Sequence, residues 1–116
     1  MSNAASAEHR LATYGSLAPG RVNHHHLDGL QGLWRTGLVR GRLIDNGWGA
    51  GLGYPAIIPD VKADPVEVFI FESADLPAHW DRLDAFEGDE YQRVTVAAET
   101  ETGPVAVSIY ALRPSA

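Results

Sequence analysis

The chain has 116 residues, 45% of them hydrophobic and 21% charged, with a formal net charge of -6 and no cysteine. That length suits one domain built on a single core, and the missing cysteine excludes disulfides, thiolate nucleophiles and Cys-based zinc sites. Nine Lys plus Arg in an acidic chain leave little with which to neutralise a phosphate backbone, so a small metabolite is the expected partner and nucleic acid is not. No apolar run is long enough to span a bilayer and no basic-then-apolar leader opens the chain; a cytoplasmic protein without a membrane partner is expected.

The first residues, "MSNAASAEHR", are small and polar, and residues 1–10 are expected to form a disordered tail ahead of a single domain over 11–116. Leu11 to Tyr14 reads as a short buried strand running into the loop Gly15-Ser16-Leu17. Residues 23–32 have no period and are expected to be mostly irregular. From Trp34 to Ile44 apolar residues fall on both parities, which predicts a long curved strand with Gly37 and Gly41 at bends or bulges. The glycine-rich stretch 45–55 is a loop carrying Trp48 and Tyr54.

Ala56 to Ile58 is a short strand closed by Pro59. "PVEVFIFES" over 65–73 begins by alternating and ends apolar on both faces, as a central strand does. "YQRVTVAAE" and "VAVSIYALR" flank the turn "TETGP" and predict a hairpin with Val105, Val107 and Ile109 on one face and Ser108 and Tyr110 on the other. Between these strands, "SADLPAHWDRLDAFEG" predicts a helix over 73–88, capped by Ser73 or Asp75, with Pro77 in its first turn and Gly88 at its end.

Leu76, Trp80 and Leu83 recur at helical spacing, and at about 100° per residue Glu87 falls within the same stripe. An acid there, in the last helical turn, is disfavoured as a charge by burial and by the negative end of the helix dipole, and both raise its pKa. Such a carboxyl can take and return a proton near neutral pH. Fraying into water and pairing with Arg93 are the structural alternatives.

"YGSLAPG" at 14–20, "GYPA" at 53–56, "LDAFEGDEYQR" at 83–93 and "IYAL" at 109–112 together resemble the gamma-glutamylcyclotransferase-like family, in its small bacterial-type form, over nearly the whole span from Leu11 to Leu112. The resemblance implies an α+β fold, a small closed or nearly closed mixed β-barrel with one principal helix. It also implies that the amides of Tyr14, Gly15, Ser16 and Leu17 gather around a substrate carboxylate and that Glu87 transfers the proton. Gly15 suits such an anion nest because a side chain there would obstruct the converging N–H groups. The implied reaction is release of 5-oxoproline and a free amine from a γ-glutamyl amine or amide, with no cofactor and no metal. Tyr14 and Tyr110 are candidates to bond substrate or the Glu87 carboxyl, with core packing and a hydroxyl satisfied elsewhere as the alternative for each. Arg93 is expected to anchor the helix end.

His24, His25 and His26 are consecutive, so their side chains diverge and do not predict a metal site. Trp80 and Trp34 are expected to pack, and Trp48 to lie near a pocket rim. The rival reading is a non-catalytic binding module of the same fold that recognises an acidic small metabolite. Formation of 5-oxoproline from γ-glutamyl compounds separates the two.

Overall fold

The computed structural model describes residues 6–14, 29–44, 56–87 and 91–112. Six strands run in chain order: β1 (Arg10–Thr13), β2 (Leu33–Ile44), β3 (Ala56–Pro59), β4 (Pro65–Glu72), β5 (Tyr91–Thr100) and β6 (Gly103–Leu112). A 3-10 turn, Leu76–His79, leads directly into the helix α1 (Trp80–Glu87). The sheet order is β1-β4-β2-β3-β6-β5, and the pairings β1–β6 and β2–β5 join it back on itself. Five strands thereby close a barrel, with one strand outside it and α1 as the main helix, as the family resemblance implies.

Alternation along the strands creates two cores. Ala12, Val39, Ile57, Val68, Ile70, Ala98, Val107, Ile109 and Ala111 fill the barrel. Their neighbours Leu11, Phe71 and Tyr110 point the other way and meet Leu76, Trp80 and Leu83. The wall beneath the helix is thus buried on both faces, which explains why β4 loses its alternation toward Phe71. Leu76 and Leu83 are fully buried and Trp80 nearly so. Burial of each stabilises the packed helix by about 2 kcal/mol, which an eight-residue helix needs because isolated helices of that length are marginal. Trp34 packs against Phe71 at 4.9 Å between ring centroids.

Three local expectations change. Residues 6–10 are docked, not a tail: Ala7–His9 forms a 3-10 turn and β1 begins at Arg10. The carbonyls of Ala7, Glu8 and His9 accept hydrogen bonds from Ser108 Oγ (2.8 Å), Trp80 Nε1 (3.0 Å) and the Ser73 amide (2.8 Å). Three buried donors are satisfied by main chain alone. The helical segment opens as a 3-10 turn, without a side-chain cap at Asp75. The Asp75 carboxylate instead accepts the Gln31 amide at 2.9 Å, while Ser73 Oγ accepts the Asp75 amide at 3.0 Å.

Gly37 and Gly41, finally, mark no bulge. The β2–β4 ladder runs unbroken from Leu33↔Glu72 to Arg40↔Pro65, and Gly41 pairs with Pro59. Their reason is close approach: a Cβ on Gly37 would stand 2.9 Å from the Glu99 carbonyl oxygen, where β5 meets β2 to close the barrel. The predicted hairpin is present, with Glu101 and Thr102 at its turn and Gly103 at φ +108°. Among the described residues no helix is long and apolar enough to cross a membrane.

Candidate functional site

Two of the motifs singled out in the sequence are described in part. Tyr14 follows β1 directly and stands at the entrance to the loop; Gly15, Ser16 and Leu17 lie outside the described residues, as do Trp48 and His24 to His26. At the other side α1 ends on Glu87, which sits four residues after Leu83 and three after Asp84; its side chain and Gly88 lie outside the described part.

Tyr14 uses its hydroxyl on backbone. It donates to the Tyr110 carbonyl at 2.5 Å and accepts the Ile57 amide at 3.0 Å, so one side chain joins β6 to β3 beside the loop. The half-buried ring packs against the barrel core. Of the two roles open to Tyr14, satisfaction within the fold is the one its described contacts display.

Tyr110 is 5% exposed, and its ring meets Trp80 edge-on at 6.5 Å. Its hydroxyl donates to Asp84 Oδ1 at 2.5 Å. The same carboxylate receives Arg93 through Nε to Oδ1 at 3.0 Å and through an Nη to Oδ2 at 3.3 Å. Arg93 also lies over the Trp80 ring, 4.3 Å from guanidinium carbon to centroid. The convergence follows from strand register: Arg93 and Tyr110 are direct cross-strand partners, so both present their side chains on the face that α1 covers. Arg93 anchors the helix, as the sequence predicts, and the described carboxylate it grips is Asp84.

Asp84 is the residue that sequence reasoning missed. The Arg93–Asp84 pair is 30% and 42% exposed by side chain, and solvent-screened pairs of this kind contribute at most about 1 kcal/mol. Its larger consequence is geometric, since two parallel N–H bonds and a short phenol bond fix the carboxylate in one orientation. Tyr110 therefore does two things at once. Its main chain holds Tyr14 at the end of β1, and its side chain holds Asp84 in the last turn of α1.

The described residues join Tyr14 at the end of β1, Tyr110 on β6, Arg93 on β5 and Asp84 in α1 into one hydrogen-bonded group. Among the described residues no group of three His, Asp or Glu side chains could hold a metal ion.

Solved structures of similar shape come from several kingdoms. YkqA from Bacillus subtilis matches with a TM-score of 0.69 and 26% identity over 90% of this chain and 35% of that one, so the chain spans about a third of YkqA's length. A protein from Arabidopsis thaliana, known from a solution structure, matches with a TM-score of 0.69 and 28% identity, covering 93% of this chain and 70% of the other. An AIG2-like protein from Mus musculus shares the fold, with a TM-score of 0.69 and 24% identity over 92% and 78% of the two chains. No curated protein sequence matches the chain significantly. The sequence matches the family described as "Gamma-glutamyl cyclotransferase, AIG2-like" over residues 11–116. Barrel, helix and motifs agree with that match, and the chain belongs to the gamma-glutamyl cyclotransferase, AIG2-like family.

Proposed function

We propose that the protein is a cyclotransferase that releases 5-oxoproline and a free amine from a γ-glutamyl amine or amide. Glu87 takes a proton from the substrate's α-ammonium group. The freed amine attacks the γ-carbonyl carbon and a C–N bond closes the five-membered ring; Glu87 passes the first proton to the departing nitrogen as the original amide bond breaks, then relays the second proton shed by the ring nitrogen, so that the amine leaves as an ammonium ion. The amides of residues 14–17 hold the substrate carboxylate and keep the chain folded for attack, so orientation supplies much of the acceleration. This chemistry uses no cofactor.

The observation that carries the reading is the joint anchoring of the two motifs on Tyr110, within a chain of this family. Purified protein incubated with γ-glutamyl peptides, amines and isopeptides is expected to release 5-oxoproline with a stoichiometric amine, both followed by mass spectrometry. Glu87→Gln, which keeps the shape but cannot accept the proton, is expected to abolish release while the circular dichroism spectrum stays unchanged. No release from any of these compounds, or full activity in the variant, refutes the proposal.

A further inference from the structure

We propose that Asp84 is a positioning residue for Glu87, and that with Arg93 and Tyr110 it forms a clamp that sets the last turn of α1 against the β5–β6 hairpin. The inference rests on the proposed reaction. It starts from a helix only eight residues long, whose final carbonyls lack intrahelical partners and whose last turn frays unless something outside the helix holds it. Leu76, Trp80 and Leu83 fasten the apolar side, and half-buried Phe86 packs against the same cluster one residue before Glu87. Asp84 is the polar fastening. It carries three hydrogen bonds from two different strands, at 2.5, 3.0 and 3.3 Å.

A carboxylate in this turn meets the unfavourable end of the helix dipole, so the position is not explained by helix preference. Nor does the solvent-screened pair with Arg93 explain it through stability. What the contacts do supply is direction. Residues three apart lie on one side of a helix, so fixing Asp84 fixes the backbone from which Glu87 projects. The guanidinium is itself held over Trp80, so the clamp's moving part is stacked on the helix core.

Two measurements test this. The first is turnover of γ-glutamyl compounds by Asp84→Asn and by Arg93→Lys, which keeps the charge but loses the two-pronged geometry. Both are expected to lower kcat on the order of 100-fold, as a displaced catalytic group does, with KM changed less than about threefold. The neighbouring exposed carboxylate provides a control, and Asp81→Asn is expected to leave both constants unchanged. The second is amide hydrogen exchange at Phe86 and Glu87, expected to speed up about tenfold or more in Asp84→Asn while Val96 and Val107 in the hairpin keep their protection. Should Asp84→Asn fail to fold, Tyr110→Phe keeps the buried ring and removes one arm of the clamp, with the same direction expected in both readouts. Active wild type with unchanged kcat in Asp84→Asn and Arg93→Lys overturns the clamp alone. Unchanged exchange at Phe86 and Glu87 also overturns it, whatever the activity. A wild type inactive on every γ-glutamyl compound overturns the reaction and, with it, the positioning role.

Discussion

Tyr14→Phe is the most direct probe of how the end of β1 is held against β3 and β6. The substitution keeps the ring against the barrel core and removes only the oxygen. Two hydrogen bonds go with it, one to the Tyr110 carbonyl and one from the Ile57 amide, and Ile57 is fully buried. Each bond has a net value of about 1 kcal/mol, and a buried N–H stripped of its acceptor costs about 1–3 kcal/mol in desolvation. The expected destabilisation is therefore about 2–4 kcal/mol. For a domain of this size that lowers Tm by roughly 8–16 °C, at about 4 °C per kcal/mol. Urea unfolding followed by tryptophan fluorescence measures it, with the midpoint falling and the m-value constant. Because Tyr14 borders the loop, KM for a γ-glutamyl substrate should rise as well. A loss below about 0.5 kcal/mol would refute the reasoning, since it would mean that the hydroxyl does not bridge β3 and β6 in solution.

Other consequences are open to measurement. Glu87→Gln should be neutral or stabilising in denaturation, because it removes a charge from the unfavourable end of α1; a loss above about 2 kcal/mol would instead reveal a structural ion pair. Gly15→Val should weaken binding of 5-oxoproline in a calorimetric titration more than Ser16→Ala, because a β-branched side chain blocks converging amides while the hydroxyl is dispensable. The reverse order would favour a hydroxyl-based site. In a pH profile, the acid limb of kcat/KM should lie above the ~4.3 of free glutamate, since Glu87 must be ionised to act as base and the helix end disfavours that ionisation. The limb of kcat should lie lower, because the bound α-ammonium favours the carboxylate, and a kcat/KM limb at or below ~4.3 would remove the argument from helix position.

The strands and the helix were legible because their signals are apolar and periodic, whereas closure into a barrel was implied by the family resemblance. Leu76, Trp80 and Leu83 mark the helix face, and Val107 and Ile109 against Ser108 and Tyr110 mark the two sides of β6. The docking of residues 6–10 was not legible, since it works through the carbonyls of Ala7, Glu8 and His9, which any sequence would possess. That Gly37 and Gly41 carry no bulge was not legible for a related reason. A glycine in a strand announces that a side chain is excluded, but whether a bulge or an approaching backbone excludes it depends on a strand distant in sequence.

Asp84 falls between these cases: it lies one residue off the apolar stripe, and its partners come from strands that follow later in the sequence. A stronger inference was available from the turn itself. With Glu101 and Thr102 at the tip of a regular hairpin, register alone sets Arg93 opposite Tyr110, a cation and a phenol side by side on one face. Tyr110 lies on the face that Val107 and Ile109 leave to the helix, so its cross-strand partner must point there too. A helix packed on that face and carrying one acid a turn beyond Trp80 then has its partner chosen for it. The carboxylate that performs this mooring is distinct from the one proposed to do chemistry. That separation keeps the mooring apart from the proposed proton transfer, since Asp84 is committed to Arg93 and Tyr110.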